Sequence, residues 1–303
     1  MPEAGIVVVT HESEAEVGAC LDAALATGAE IVVVDNASRD ATCREVMRRG
    51  VRLIANQENR GFAAAVNQGI RALDAPFVLL LNPDAYLETG LDALIACCKE
   101  DRVAGACGKL IGPDGRPQTG FTVRNLPSPA ALICEVLGLN RLWPNNPINW
   151  HYRCLGFDFR APADVEQPAG AFLMVRRDVW EELGGFDERF YPLWFEDVDF
   201  CKRARDRGYR LRYTPLAVAK HTGGHSAGKI PLENRQLYWY GGLLRYAAKH
   251  YGSVTVRMVG TAILTGCIPR MLWGMLAFRS WQPIAVYGKV MALAGRRLWR
   301  PAS

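Results

Sequence analysis

The most informative absence in this sequence is that of acidic residues at its C-terminal end. No Asp or Glu follows Glu233, whereas ten Lys and Arg residues do, so the last 70 residues carry a formal charge of +10. The first 233 residues contain 31 acidic and 26 basic residues, a formal charge of −5. A charge asymmetry of this size indicates an anionic partner at the C-terminal end.

Long apolar runs are also missing from this basic segment, residues 234–303. Its longest run without charge or proline, Met258 to Ile268, has eleven residues and is ended by Pro269 and Arg270. A transmembrane helix takes about 20 apolar residues, so the pattern favours amphipathic helices lying on a membrane surface, with their basic face toward anionic lipid. A helical cap packed on the preceding domain and an oligomer interface are the alternatives.

Cysteine spacing and the start of the chain indicate the cellular compartment in which this protein is expected. The nine cysteines form no C-x-x-C motif and no regular disulfide pattern, and most lie in apolar segments. Such cysteines are typical of reduced, buried thiols in a cytosolic protein. The chain opens on a strand pattern without a charged and hydrophobic leader, so no secretory signal is expected.

The first hundred residues alternate between short apolar runs and amphipathic segments, which predicts an α/β domain. Strands that are apolar throughout are buried on both faces, so the sheet should be mainly parallel and covered by helices. Ligands of such sheets bind beyond the carboxyl ends of the strands, where Thr10, Glu12, Asp35, Asn36 and Asn82 lie. The predicted strands are 5–10, 31–34, 51–55 and 76–81, and the predicted helices are 13–25, 40–49 and 62–73.

Asp35 is a candidate nucleotide contact because it directly follows the second apolar strand. A carboxylate there can accept hydrogen bonds from a ribose hydroxyl or a base N–H, although it could instead cap the next helix. Ser38 or Asp40 can provide that cap, so we expect Asp35 to be left for a ligand. Gly61 and Asn67 are further candidates, in a helix start rich in small residues that helix packing alone would also explain.

Asp84 and His221 are the candidate metal ligands. Pro83 ends strand pairing and projects Asp84 toward the ligand edge, where a carboxylate and phosphate oxygens would suit Mg²⁺ or Mn²⁺. An Asn-Pro-Asp sequence is also ordinary turn chemistry. His221 and His225, in the run HTGGHS, compete for the role of a histidine that meets the metal or a diphosphate.

The stretch from Pro192 to Leu211 carries the strongest catalytic signal. Trp194 and Phe195 are followed at once by Glu196 and Asp197, which begin a predicted helix with an apolar face and a basic face. Acids at a helix N-terminus are stabilised by the helix dipole without any function. The aromatic residues before them indicate a substrate pocket instead, because a surface helix has no need of them.

Together these motifs resemble the inverting family 2 glycosyltransferases of GT-A fold, in particular their rhamnosyltransferase-like branch. The matching segments run from Ile6 to Ser226 and include VVVDNASRD, NRGFAAAVNQG, LLLNPDA, PAGAFLMVRRDVWEELGGFDERFYPLWFEDVDFCKRARDRGYRL and HTGGHS. The resemblance implies a Rossmann-type, mainly parallel central sheet. It implies a glycosyltransferase domain at residues 1–233, with a nucleotide-sugar half near 1–110 and an acceptor half near 111–233, ahead of the basic segment.

The resemblance also implies roles for individual residues. Asp197 would be the general base, with Glu196 beside it, while Asp84 and His221 would hold the divalent cation. The implied nucleotide contacts are Thr10, Glu12, Asp35, Asn36, Gly61, Asn67 and Asn82, and the implied acceptor contacts are Gly170, Ala171, Trp194 and Phe195. Asn82 replaces the first acid of the family's Asp-x-Asp motif, and His11 departs from its usual Thr-Tyr-Asn.

The expected protein is thus an inverting transferase at the inner, cytoplasmic face of the cell membrane. Its donor would be a dTDP-, UDP- or GDP-linked sugar, with rhamnose the expected sugar, and its acceptor a lipid-linked glycan or polysaccharide. A homo-oligomer is possible and no nucleic-acid partner is expected. One alternative is a sugar nucleotidyltransferase, although the loop THESEAEVG lacks the Lys or Arg that such enzymes carry. The other is a non-catalytic, membrane-associated nucleotide-sugar-binding protein.

Overall fold

The structure, a computed structural model, describes residues 2–223 and 228–299, the last three through their backbone alone. The predicted histidine His225 lies outside the described residues. The strands are β1 Ala4–Thr10, β2 Glu30–Asp35, β3 Arg52–Ala55, β4 Phe77–Leu81, β5 Ala85–Thr89, β6 Val103–Ile111, β7 Val123–Arg124, β8 Ala163–Val165, β9 Gln167–Pro168, β10 Phe172–Arg176 and β11 Arg210–His221. The helices are α1 Val17–Leu25, α2 Thr42–Arg48, α3 Phe62–Ala72, α4 Leu91–Cys98, α5 Pro129–Leu137, α6 Leu139–Leu142, α7 Pro147–Tyr152, α8 Arg177–Glu182, α9 Glu196–Asp206, α10 Leu232–His250, α11 Ser253–Phe278 and α12 Gln282–Trp299.

A nine-stranded sheet forms the centre of the molecule, in the order β3-β2-β1-β4-β10-β6-β11-β5, with β8 also paired to β11. Strands β1 to β4 are mutually parallel, as predicted, and β11 is parallel to β6. Strand β10 is antiparallel to β4 and β6, and β11 is antiparallel to β5 and β8. The sheet is therefore mixed beyond β4. The sequence pattern does not predict this, because an apolar run indicates burial on both faces and carries no information about strand direction.

The sheet register brings distant segments to one edge. Thr10 is paired with Asp35 at the carboxyl ends of β1 and β2. Because β10 runs antiparallel to β4, its start lies at that same edge, and the Asn82 nitrogen donates to the Ala171 carbonyl at 3.0 Å. His221 ends β11 in register with Ala85, which places it next to Asp84. The topology thus collects the predicted candidates of both halves along one rim.

Both faces of the sheet are buried, and the alternation of side chains divides the core. Ile6 and Val8 of β1 point to the face covered by α1, where Leu21 is fully buried. Val7 points to the opposite face and packs in the same cluster as Ile70 of α3 and Phe200 of α9. Six of the nine cysteines are buried, as the sequence predicts. The two-sided burial explains why these strands are continuously apolar.

Two helices begin later than their sequence pattern predicts, because polar groups at their expected starts form hydrogen bonds within the preceding loops. Helix α1 begins at Val17 instead of Ser13, whose backbone nitrogen donates to Thr42 Oγ1 at 2.7 Å. Helix α2 begins at Thr42 instead of Asp40, whose carboxylate accepts from the Thr42 nitrogen at 3.0 Å. Strand β11 is irregular, with a register shift against β6 between Tyr213 and Val218.

The C-terminal helices pack against α5 in a core of their own, which includes Tyr240, Leu243, Ile263 and Val290. Helix α11 contains Pro269 and continues through it to Phe278. Burial of one helix face against neighbouring helices compensates for the cost of a proline in a helix, about 3 kcal/mol.

Helix α11 is also apolar around much of its circumference, which differs from the predicted amphipathic pattern. Its buried face includes Val259 and Ile263, whereas Met258, Leu272 and Trp273 are exposed. By length and composition it could cross a membrane, and it is the one helix with this property among the residues described. The basic residues of the segment are therefore not gathered on an opposite face of this helix.

Candidate active site

A cleft of about 730 Å³ opens at the rim where β1, β4 and β10 meet. Its walls include Thr10, Glu12, Asn36 and Asn82 from the first half of the chain, and Gly170, Ala171, Trp194, Phe195, Glu196 and Asp197 from the second. Tyr238 and Trp239 of α10 also line it. The cleft therefore combines most of the predicted nucleotide contacts with all of the predicted catalytic and acceptor contacts.

Asp197 is held in place by three hydrogen bonds. Its Oδ2 accepts from the Gly170 nitrogen at 3.1 Å and from Gln167 Nε2 at 3.3 Å, and its Oδ1 accepts from the Val198 nitrogen at 2.8 Å. Burial raises the pKa of Asp197 above its ordinary value, although the bonds from Gly170 and Val198 act in the opposite direction. A fixed carboxylate with a raised pKa is suited to accept a proton near neutral pH.

Glu196 has a different environment although it is adjacent in the chain. It is buried, and its Oε2 has no hydrogen-bond partner among the described residues. Burial, followed by the negative charge of Asp197, raises the pKa of Glu196 well above its ordinary range. Burial thus disfavours the ionised form of Glu196, whereas the hydrogen bonds from Gly170 and Val198 favour the ionised form of Asp197.

The turn that presents these acids is conformationally strained. Trp194 and Phe195 have φ values of +77° and +75°, in the left-handed region that large side chains seldom adopt. Helix α10 holds the turn, since a Cβ on Gly242 would lie 2.9 Å from the Trp194 carbonyl oxygen. Phe195 also packs on Tyr246, with ring centroids 5.7 Å apart. The C-terminal helices thus fix the backbone that carries the acids.

Asp84 and His221 form a buried pair at the rim, with His221 Nε2 3.4 Å from Asp84 Oδ1. The Gln118 amide sets the tautomer of His221, because its Nε2 donates to the His221 carbonyl at 2.8 Å and its Oε1 accepts from Nδ1 at 2.9 Å. In the neutral imidazole, Nε2 therefore directs a lone pair at a carboxylate oxygen. Two facing acceptors fit a divalent cation.

This pair supplies only part of a metal site. Among the described residues, no three His, Cys, Asp or Glu side chains converge on a common point. A cation held by Asp84 and His221 would take its remaining ligands from phosphate oxygens and water, which is usual for Mg²⁺ in nucleotide sites. The donor set thus fits a cation that binds together with a diphosphate.

Asp35 lies at the rim, where its carboxylate is held by hydrogen bonds within the protein, and its role as a nucleotide contact stays a prediction. Its Oδ1 accepts from Thr10 Oγ1 at 2.8 Å and from Ser38 Oγ at 2.6 Å, and its Oδ2 accepts from the Ser38 nitrogen at 2.8 Å. The carboxylate therefore ties β1 to the loop after β2. Asn36, the next residue, lines the cleft and donates from Nδ2 to the Gly61 carbonyl at 3.2 Å.

Asn67 and Gly61 have structural contacts instead of facing the cleft. The Asn67 amide donates to the Phe186 carbonyl and accepts from the Phe186 nitrogen, both at 2.9 Å. These two bonds fix the position of the segment that precedes α9. Gly61 has a φ of +84°, and a Cβ there would lie 2.9 Å from the Tyr191 ring. The small residues in this helix thus serve close packing, the alternative that the sequence left open.

Several residues in or beside the cleft have no recognisable sequence signal. Gln118 contacts His221 from 103 positions away, and Gln167, just before the Pro-Ala-Gly-Ala run, contacts Asp197. Arg124, Tyr152, Arg153 and Lys229 line the cleft from segments without periodicity. These side chains depend on loop geometry, so spacing in the sequence does not predict them.

Asp84 and His221 do not themselves line this cleft, but Pro83, which precedes Asp84, and Phe121, which stacks on His221, do. The mixed sheet with its ligand edge, the held carboxylate in the cleft and the neighbouring Asp84–His221 pair define a GT-A-like glycosyltransferase. The family model described as "Glycosyl transferase family 2" matches residues 5–183. The chain therefore belongs to glycosyltransferase family 2 and is an enzyme of that family.

Two similar curated proteins are rhamnosyltransferases. The N-acetylglucosaminyl-diphospho-decaprenol L-rhamnosyltransferase of Mycobacterium tuberculosis is 31% identical over 237 residues, which cover 73% of this chain and 76% of the relative. Rhamnosyltransferase WbbL of Escherichia coli is 26% identical over 177 residues, covering 55% and 60%.

The fold is shared with solved glycosyltransferases. The mannosyltransferase PcManGT of Pyrobaculum calidifontis, in complex with GDP-Man and Mn²⁺, has a TM-score of 0.55 and 18% identity, and the match covers 99% of this chain and 81% of that chain. GalNAc-T7 with UDP, GalNAc and Mn²⁺ also has a TM-score of 0.55, with 16% identity and coverage of 82% and 50%.

Proposed function

We propose that this enzyme transfers rhamnose, with inversion, from a nucleoside-diphosphate sugar to a lipid-linked glycan acceptor, with Asp197 as the general base. The observation that carries the proposal is the geometry of Asp197, a cleft-lining carboxylate held by Gly170, Gln167 and Val198. The similarity to two rhamnosyltransferases supports rhamnose as the sugar. The printed name of the first, which includes diphospho-decaprenol, supports a lipid-linked acceptor.

The proposed reaction is a single displacement. The Asp197 carboxylate accepts the proton of an acceptor hydroxyl as that oxygen forms a bond to the anomeric carbon. The bond from this carbon to the donor diphosphate breaks on the opposite face, and the nucleoside diphosphate leaves with the electron pair. Asp197 suits this step better than Glu196, since three hydrogen bonds stabilise its carboxylate whereas Glu196 Oε2 has no hydrogen-bond partner among the described residues.

Asp84 and His221 would hold a divalent cation, Mg²⁺ or Mn²⁺, close to the donor diphosphate. When bound, such a cation offsets the negative charge of a departing nucleoside diphosphate. Gln118 and Phe121 position His221 for this role, through the Oε1–Nδ1 contact at 2.9 Å and through ring stacking at 5.2 Å. Thr10, Glu12, Asn36 and Asn82 are the proposed nucleotide contacts on the same side of the cleft.

We also propose that residues 234–303 hold the enzyme on the inner face of the cell membrane. Several large apolar side chains near the end of α11 are exposed, including Trp273, Leu276, Phe278 and Trp281. The segment contains ten basic residues and no acidic ones, so it complements an anionic lipid surface. It also contributes Tyr238 and Trp239 to the cleft, which would keep the site close to an acceptor in the bilayer.

The test of the proposed base is Asp197→Asn. We expect transfer to fall by about 10²–10⁴-fold while donor binding, measured by the shift in melting temperature with dTDP-, UDP- and GDP-sugars, is retained. Asp206→Asn is the matched control, because Asp206 lies on the same helix and forms an exposed pair with Lys202. Near-normal turnover in Asp197→Asn would refute the assignment.

A further inference from the structure

Two arginines stand side by side on the wall of the cleft, near Asp197. Arg124 ends β7, and its Nε donates to the Gly120 carbonyl at 2.7 Å. The Cβ of Arg153, just after α7, lies 3.3 Å from the position that a Cβ on Gly120 would take. Both arginines line the cleft, and the charge of Arg124 acts on Asp197 against the effect of burial. Two arginine side chains therefore line the cleft, and the charge of one of them, Arg124, reaches the proposed base.

Protein contacts orient the two guanidinium groups without neutralising both. Arg153 Nη2 contacts both carboxylate oxygens of Glu135 at 3.0 and 3.1 Å, and its Nε donates to Asn149 Oδ1 at 3.1 Å. Arg124 lies over the Phe121 ring at 5.7 Å, and no described residue accepts a hydrogen bond from its terminal nitrogens. The group of two arginines and one glutamate thus carries a net positive charge and faces the cleft.

An exposed apolar ridge begins where the arginine site ends. Helix α5, which carries Glu135, leads into α6, where Leu142 is 84% exposed and is followed by Trp143 at 63%. At 1.5 Å per residue the helix spans about 6 Å from Glu135 to the start of α6. Arg270 Nη1 donates to the Val136 carbonyl at 2.6 Å, which ties α5 to α11, the helix that carries the exposed Trp273.

We propose that Arg124 and Arg153 form a subsite for the diphosphate of a lipid diphosphate-linked acceptor, whose hydrocarbon chain leaves along the ridge of Leu142 and Trp143. This inference rests on the proposed function. The structure offers the three kinds of group that such an acceptor requires: Asp197 for the hydroxyl, the two arginines of the cleft wall for the diphosphate, and the exposed Leu142 and Trp143 after α5 for the apolar chain. Guanidinium groups suit this role because their planar donors bind phosphate oxygens in pairs.

The subsite is tested by binding in the Asp197→Asn background, where no turnover is required. The probes are a hexosamine linked through a diphosphate to a short prenyl chain, and the same hexosamine as a prenyl glycoside without the diphosphate. We expect Arg124→Gln to weaken binding of the first probe by about 10–100-fold and to leave the second unchanged, because only the first offers phosphate oxygens. Arg160→Gln, an exposed arginine in the same region, is the control and should change neither.

Three outcomes distinguish this inference from its alternatives. Equal weakening of both probes by Arg124→Gln would overturn it, as would an effect confined to the affinity for the donor sugar nucleotide. An unchanged melting temperature shows that Arg124→Gln is folded, and Arg153→Gln provides an independent second variant. If the intact enzyme transfers no sugar to any acceptor but still binds the first probe through Arg124, the proposed function fails and the diphosphate subsite stands.

Discussion

The backbone nitrogen of Gly170 lies 3.1 Å from Oδ2 of Asp197, which joins the loop before β10 to the first turn of α9. A Cβ on Gly170 would lie 3.2 Å from the Asp197 Cβ and 3.3 Å from Oδ2. Both distances are tighter than ordinary van der Waals contact. A methyl group at Gly170 would therefore require the Asp197 side chain to shift by a few tenths of an ångström.

The first prediction concerns this contact. Gly170→Ala should lower the turnover number by about tenfold or more, because the added methyl group displaces the carboxylate from its position. Gly288→Ala is the control, since a Cβ at Gly288 of α12 would have no neighbour within 4 Å. Turnover of both variants is measured at saturating donor and acceptor. Equal turnover in the two variants would show that the position of Asp197 tolerates this shift.

The second prediction concerns pH. Burial raises the pKa of Asp197 above its ordinary 3.8, and a general base must be deprotonated, so transfer should fall as pH decreases through that raised pKa. The profile of kcat/KM against pH measures this acidic limb. Glu196→Gln should retain the limb. Its disappearance in that variant would assign the proton transfer to Glu196.

The third prediction concerns the metal. His221→Ala should weaken Mn²⁺ binding in the presence of a nucleoside diphosphate by about 10-fold or more, because one of two protein ligands is lost. Gln118→Ala should have a smaller effect in the same direction, since it releases the His221 tautomer. Titration calorimetry with Mn²⁺ measures both, with the exposed His151→Ala as control. Unchanged Mn²⁺ affinity in His221→Ala would exclude it as a ligand.

The fourth prediction concerns the junction between α9 and α10. Asp199 is fully buried and pairs with Arg203 at 2.8 Å, Lys249 at 2.7 Å and His250 at 2.8 Å. Burial acts to raise its pKa, but the bond from His250 and the charges of Arg203 and Lys249 outweigh it and leave the pKa lowered. Asp199→Asn should therefore lower the free energy of unfolding by about 3 kcal/mol at pH 7.

The sign of the pH dependence provides a check on this network. A carboxylate with a lowered pKa in the folded state stabilises the protein above its ordinary pKa of 3.8, and this contribution disappears as pH falls through the lowered value. The difference between wild type and Asp199→Asn in urea unfolding should thus shrink in acid. A difference that is the same at pH 7 and in acid would contradict this account.

The fifth prediction concerns membrane association. The double variant Trp273→Ser, Trp281→Ser should bind vesicles of phosphatidylglycerol and phosphatidylcholine at least about tenfold more weakly, because two exposed indoles no longer enter the lipid. Leu216→Ser, which changes an exposed apolar residue of β11, should bind normally. Alkaline carbonate should release the wild-type protein from membranes. Retention after carbonate would show instead that α11 crosses the bilayer.

Much of the first half of the fold follows from the sequence. The apolar runs of β1 to β4 and the helices between them are recognisable because a strand buried on both faces has a local composition that no loop shares. The acidic turn at Glu196 and Asp197 is recognisable for a similar reason, since aromatic residues directly before paired acids are unusual on a surface. Local patterns of this kind need no knowledge of distant residues.

The contacts of Asp35, Asn67 and Pro269 were predictable only in part, because each depends on distant residues. Asp35 is occupied by Thr10, 25 positions away, and Asn67 by Phe186, 119 positions away. Pro269 remains within a helix because α11 packs on neighbouring helices. Local sequence patterns do not report such distant partners, so they favoured a free carboxylate at Asp35 and a ligand contact at Asn67.

By itself, the sequence determined the α/β class, the candidate acids at Asp84 and at Glu196–Asp197, and the charge asymmetry, because each is a property of neighbouring residues. Only the tertiary structure decided which side chains share the cleft, since the antiparallel insertion of β10 brings Gly170 to the end of β4, and the loop after it brings Asp197 to the rim. It also placed Arg124 and Arg153 together, although 29 positions separate them. Proximity of this kind arises from chain topology and packing, which no local pattern records.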